Sequence, residues 1–199
     1  MGRSEEKKKL KREALLTSAF DLFTEKGINK TTVSDIVKKA ELAKGTFYLY
    51  YKDKYDIRDK LIAMRAVRII EQIGDELIKE GNEREVSFEE GIIFMADKII
   101  DRFTKNKPLL LFMGKHLSEA IFTRGSTEEE TNRCLEIFDK LIEPSGKVFK
   151  NKNVMFYLLI EVMNSTCYDC IIRNAPVSMD EMRPELYATL MSIIKQFEV

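Results

Sequence analysis

The sequence predicts an all-α protein, with a three-helix head at the N-terminus, a larger helical body behind it and about nine helices in total. Three observations carry this. Glycine and proline are scarce, 9 and 4 in 199 residues. Apolar residues recur at helical spacing along nearly the whole chain, and no alternating apolar–polar stretch bounded by turn residues stands out. Charge also divides the chain. Residues 1–54 hold thirteen Lys and Arg against eight Asp and Glu, and residues 55–199 hold twenty against twenty-five. A basic head on an acidic body, within a neutral whole, sets the expected domains at 1–54 and 55–199.

The first helix is expected from about Ser4 to Lys26, with Leu15, Ala19, Leu22 and Phe23 on one face. Gly27 follows as a C-cap, because glycine accepts the left-handed conformation cheaply. Thr32 is placed to cap a short helix to about Ala40, with the Asp35 carboxylate in its first turn. Glu41-Leu42-Ala43 make a tight turn into KGTFYLYYKDK, residues 44–54. A long helix is expected from about Lys54 to Glu80, ended by Gly81-Asn82.

Ser87 and Glu90 fit a capping box for a helix to about Lys105. Pro108 suits the first turn of another, to about Thr123, broken at Gly125. Thr127 and Glu130 fit a further capping box, for a helix to about Glu143. Two more helices are expected at about 151–173 and 184–197. The last has a second possible start at the Ser178–Glu181 capping box, but Pro184 is better tolerated in a first turn than deeper inside.

Composition removes several classes of function. No apolar run approaches the roughly 20 residues of a membrane-spanning helix. The charged N-terminus is unlike a secretory signal, so the expected location is cytoplasmic, with no membrane partner. Three cysteines are too few for a disulfide scaffold. No cofactor, metal site or catalytic constellation is expected, and the chain is not read as an enzyme. His116 is the only histidine, with no second metal ligand at suitable spacing. Cys167 and Cys170 form a C-x-x-C, and redox sensing is the minor alternative it raises.

Two short helices joined by a tight turn, after a longer packing helix, make a helix-turn-helix. Residues 31–57, TTVSDIVKKAELAKGTFYLYYKDKYDI, closely resemble the DNA-binding head of the TetR, or tetracycline-repressor-like, transcriptional regulators. The matching marks are Phe20, Leu22 and Phe23 ending at Gly27, then Thr31-Thr32, Ile36, Ala40, Lys44 to Tyr48, Tyr50, Tyr51 and Lys54. The resemblance implies that Thr31 and Thr32 lie at the DNA backbone and that Lys44, Gly45 and Thr46 enter the major groove. It also implies that Tyr48, Tyr50 and Lys54 lie on the DNA, with Tyr48 and Lys54 on phosphates, while Phe47 and Tyr51 pack inward. Two positions depart from the family pattern. Glu41 stands where glycine is usual, and Ala43 where a serine N-cap is usual. If Glu41 keeps a positive φ it is strained.

The resemblance also implies a body that binds a small-molecule effector and dimerises. Tyr157, Glu161, Asn164 and Tyr168 form a stripe of polar-tipped residues suited to a pocket wall, with Phe112, Met113 and His116 as further ligand candidates. The apolar residues Phe156, Ile160 and Met163, with Tyr187, Leu190, Met191 and Ile194, are expected at a homodimer interface. The reading is a dimeric, ligand-responsive transcriptional repressor on a double-stranded, palindromic operator, released by its effector. The alternative is a helical adaptor, or a redox-sensing regulator, whose head no longer binds DNA specifically.

Overall fold

The computed structural model describes residues 3–83, 86–124 and 128–199. All regular structure among them is helical, apart from one isolated antiparallel bridge between Phe149 and Glu198 near the C-terminus. Helix α1 (Arg3–Lys26) buries Leu15, Leu16, Ala19 and Phe23. Gly27 ends it at φ +83°, and its N–H donates to the Phe23 carbonyl at 3.1 Å. Helix α2 (Val33–Lys39) opens on a capping box. The Thr32 side chain accepts from the Asp35 N–H, and the Asp35 carboxylate accepts from the Thr32 N–H. Helix α3 (Lys44–Tyr48) completes the head.

Helix α4 (Lys54–Glu83) runs out of the head into the body, burying Ile57, Leu61 and Ile62 near its start and Ile73 and Leu77 further along. It passes through Gly81 to Glu83, slightly beyond the expected stop. Helix α5 (Phe88–Lys105) has the predicted Ser87–Glu90 capping box.

The single helix expected from Pro108 to Thr123 is broken. Helix α6 (Lys107–Met113) ends at Gly114, at φ +51° and ψ −148°, a conformation that a side chain strongly disfavours. A 3₁₀ turn (Gly114–His116), the one-turn α7 (Leu117–Glu119) and a π-turn (Ala120–Arg124) follow. Gly125 and Thr127, the expected break and cap, lie outside the described residues. Helix α8 (Glu128–Ile142) comes next.

Helix α9 (Lys152–Cys167) continues as a π-turn (Tyr168–Arg173). Helix α10 (Met179–Phe197) starts at the Ser178–Glu181 capping box, so Pro184 lies inside it and not at its start. The hydrogen bond that proline forfeits there is to the carbonyl of Asp180, an exposed residue. Arg183 beside it ties α10 to α5 through Asp97 and Asp101, at 2.5 and 2.8 Å. Segment 152–173 also corrects the hydropathy reading. By length and composition it is apolar enough to cross a membrane, at mean hydropathy 1.2. Its packing explains much of this, since 44% of the window is buried inside the protein. One connected set of buried residues runs from Leu15 in the head to Phe197 in α10.

Candidate functional site

In the head, the turn between α2 and α3 is a Schellman arrangement. The Leu42 N–H donates to the Val37 carbonyl at 2.9 Å, and the Glu41 N–H to the Lys38 carbonyl at 3.3 Å. The residue that must be left-handed is Glu41, at φ +55°. Glycine would take that conformation at about 1 kcal/mol less cost. Ala43 caps α3 with no side-chain hydrogen bond. Both departures noted in the sequence therefore have a structural counterpart, and the turn keeps its shape in spite of them.

Helix α3 is anchored by aromatics. Phe47 is fully buried and Tyr51 nearly so, with ring centroids 5.7 Å apart. Burial holds the Tyr51 hydroxyl above its ordinary pKa, and the Arg12 guanidinium beside it partly opposes that. The opposite side of the segment is open. Lys44, Gly45, Tyr48 and Leu49 are exposed, and Thr46 and Tyr50 are half-buried. A Cβ built on Gly45 would meet no heavy atom within 4 Å. Nothing inside the protein requires glycine there, although glycine weakens a helix by roughly 0.5–1 kcal/mol relative to alanine. Leu49, 79% exposed, is a large apolar side chain on the same segment. Sequence reasoning passed over it, because a leucine among aromatics reads as core.

Two residues assigned to DNA serve the inside of the head. Thr31 is fully buried, and its hydroxyl donates to the Gly27 carbonyl at 2.9 Å. It closes the end of α1 and cannot reach a phosphate. The Lys54 ammonium donates to the carbonyls of Ile28, Asn29 and Thr31, at 2.9, 3.2 and 3.0 Å. An ammonium has three N–H donors, and these contacts use all of them. Lys54 therefore pins the α1–α2 loop, with its ammonium turned to the head's own backbone. Thr32 is exposed at the start of α2. Its neighbour Asp35 is held down to about pKa 2, first by the backbone N–H of Thr32, then by the side chains of Lys26 and Thr32.

The head meets the body along an aromatic seam. Phe112 of α6 lies edge-on to Phe20, at 5.3 Å and 85°, and stacks on Phe23 at 6.1 Å and 17°. The Arg65 guanidinium of α4 covers Phe20 at 4.1 Å from the ring centre.

Behind the seam lies a cavity of about 110 Å³, walled by α4, α5, α8, α9 and α10 with Met113, Leu117 and Ile121. Its wall holds Ile69, Ile70, Met95, Ile99, Phe103, Phe138, Phe156, Leu159, Met163 and Leu190, among others, and its one residue with a polar side chain is Asn164. Met95 also lines a larger cleft of about 760 Å³ between α4, α5 and α8, whose wall carries Glu71, Asp75, Glu136, Lys140 and Lys147. A third cleft, about 610 Å³, opens at the head–body junction beside Lys26, Lys30, Arg58, His116, Tyr168 and Arg173.

Residues 15–61 match the family described as bacterial regulatory proteins, tetR family. The chain is 52% identical over 44 residues to the uncharacterized HTH-type transcriptional regulator YvdT of Bacillus subtilis. Residues 15–61 form a head of the TetR type. That match spans 22% of this chain and 23% of YvdT, so it concerns the head. The whole fold resembles solved TetR-family structures. A regulator from Streptomyces coelicolor superposes with a TM-score of 0.66 at 15% identity, covering 95% of this chain and 98% of the other. FadR from Bacillus subtilis in complex with stearoyl-CoA gives 0.55 at 17% identity, covering 90% and 97%.

In the body the predicted residues separate. Met113 and Asn164 line the inner cavity. Phe112 faces the head instead, in the seam. His116 is exposed, 3.6 Å from Glu119, and Tyr168 lies at the junction cleft under Arg173. Tyr157 points outward, 40% exposed. Glu161 is taken by the buried Ser118 hydroxyl. None of these last four lines the cavity.

Most residues assigned to the interface turn inward within one chain. Phe156, Ile160, Met163 and Leu190 wall the cavity, and Ile194 is buried in the chain's own core. Tyr187 is bonded to Asp97 of α5, and Met191 packs half-buried against the core. Helix α9 is apolar on nearly every side, so periodicity could not say which stripe turns inward. Apart from Ile160, which walls the cavity, its exposed or half-exposed aliphatic residues are Val154, Leu158 and Val162.

Proposed function

We propose that this protein is a ligand-responsive transcriptional repressor that binds a palindromic operator as a homodimer and leaves it when a small molecule occupies the body. One observation carries the reading. Helix α6 sets Phe112 into the seam with α1 and the next residue, Met113, into the cavity wall. A molecule that displaces Met113 also moves the surface against which the head is packed.

The open side of α3 supports the DNA half. Lys44, Gly45 and Tyr48 face outward, and a bare backbone at Gly45 suits close approach to a groove. Lysines on the head add affinity that falls with salt and carries no sequence information. Two heads would sit about one DNA turn, roughly 34–36 Å, apart. The apolar outer stripe of α9, Val154, Leu158 and Val162, is the proposed dimer face, in a cytoplasmic protein without enzymatic activity.

The effector must bind the two conformations with different affinity, or nothing shifts. FadR, whose fold this chain shares, was solved with stearoyl-CoA, which supports a lipophilic effector class here. The redox alternative has little support from the thiols. Burial pushes Cys167 up to about 12 and also raises Cys170, so neither favours the reactive thiolate.

The test is a competition binding assay on genomic fragments at moderate salt. One fragment should outcompete bulk DNA, and Tyr48→Ala should weaken its binding. If no fragment does so, the adaptor reading takes over. Sedimentation at micromolar concentration should give a dimer that Leu158→Arg dissociates, and a stable wild-type monomer would remove the palindromic mode.

A further inference from the structure

Asn164 is 2% exposed, in the middle of an otherwise apolar wall. Its amide Nδ2 donates to the Gly114 carbonyl at 2.9 Å. A carbonyl oxygen only accepts, so this contact fixes which way the amide faces. Nitrogen must point to Gly114, and Oδ1 is left on the other side. No donor among the described residues reaches Oδ1. Buried acceptors are nearly always paired, and one left unpaired needs an explanation.

The surroundings restrict what that partner can be. Among the described residues, the cavity wall holds no charged side chain. A charged ligand group there would lose its hydration with no counter-ion to replace it. The volume, about 110 Å³, is somewhat below that of an apolar cavity known to take benzene, roughly 150 Å³.

We propose that the cavity takes an uncharged, largely apolar molecule of about one ring, which presents a single hydroxyl or N–H donor to Asn164 Oδ1. This rests on reading the cavity as the effector site and names the chemistry that site selects. The position of Asn164 also ties recognition to the chain break after α6. The amide that would accept from the ligand holds the carbonyl of Gly114, where α6 ends beside Phe112 and Met113. A wholly apolar molecule would fill the same space without engaging that amide.

The test is calorimetric titration of the whole 199-residue chain, without DNA, using phenol and toluene, which differ by hydroxyl against methyl. Wild type should bind both. In Asn164→Leu, the phenol-to-toluene affinity ratio should fall at least about tenfold, the scale of one buried hydrogen bond. Ala96→Leu, which fills the cavity, should weaken both. Crystals soaked in 4-bromophenol should place its hydroxyl within hydrogen-bond distance of Oδ1, which keeps the proposal testable if Asn164→Leu fails to fold.

A ratio unchanged by Asn164→Leu, no binding of either compound to wild type, or tighter binding of benzoate than of phenol would each overturn the proposal. The regulatory reading fails separately. Phenol bound at Asn164 with operator affinity unchanged would leave this site standing and remove the release mechanism.

Discussion

The ammonium of Lys54 lies 2.9 Å from the carbonyl oxygen of Ile28, in the loop between α1 and α2. With its contacts to Asn29 and Thr31, one cation gathers three carbonyls of that loop. Lys54→Met keeps the aliphatic stem and removes the charge, leaving three carbonyls without this donor. A hydrogen bond to a charged group contributes about 1.5–3 kcal/mol. Stability should fall by about 2 kcal/mol, roughly 4–8 °C in a thermal melt of a chain this size. Any loss of DNA affinity should scale with the loss of folded head. If Lys54→Met binds DNA poorly while melting like wild type, Lys54 contacts phosphate after all.

Gly45 separates stability from function in the opposite direction. Its site has room for a methyl group, in a helical conformation. Gly45→Ala should raise stability by roughly 0.5–1 kcal/mol by restricting the unfolded chain. The same methyl should obstruct the groove and lower operator affinity about tenfold or more. Urea unfolding and fluorescence anisotropy on one preparation would measure both. Tighter DNA binding by the alanine variant would show that α3 does not approach DNA through this residue.

The seam between Phe20 and Phe112 should behave as a coupled pair. Edge-on aromatic pairs contribute about 0.5–1.5 kcal/mol beyond the area they bury. A double-mutant cycle with Phe20→Leu and Phe112→Leu should return a coupling in that range. Additive single effects, within about 0.3 kcal/mol, would mean the rings are neighbours without being partners.

Asp35 should leave an acid signature. Its carboxyl is held at about 2 in the folded protein, below its ordinary 3.8, by the Thr32 N–H and by Lys26 and Thr32 side chains. A depressed folded pKa favours the folded state above about pH 4, and that contribution fades as pH falls toward 2. The melting temperatures of wild type and Asp35→Asn should therefore differ by a constant amount near neutral pH and converge between pH 4 and 2. A gap that persists at pH 2 would trace the effect to helix capping by the neutral side chain.

Local pattern made the head legible, and three-dimensional partnership made other parts illegible. Thr32 with Asp35, Ser87 with Glu90 and Ser178 with Glu181 are capping pairs three residues apart, so a linear sequence displays them. Lys54 binds backbone carbonyls more than twenty residues earlier, and every residue carries a carbonyl, so no side-chain pattern announces the contact. Helix α9 defeated periodicity for another reason. Phe156, Ile160 and Met163 lie on one face of the helix and Val154, Leu158 and Val162 on the opposite one, and apolarity alone cannot say which set meets the core. Gly114 was visible as a glycine, but an isolated glycine in an apolar run reads as tolerated, and its backbone angles appear only in the structure.

Among the described residues, Met95 is the one side chain that walls both the inner cavity and the outer cleft of α4, α5 and α8. It is unbranched, with three rotatable bonds and a polarisable sulfur, and it is only half-buried. Turning that one side chain reshapes the wall of both spaces without moving a helix. Side-chain rotation of this kind belongs to fast local motion, whereas a shift of α6 against α1 is a collective event on the scale of microseconds to milliseconds. Arrival of a small molecule and response to it would run on separate clocks.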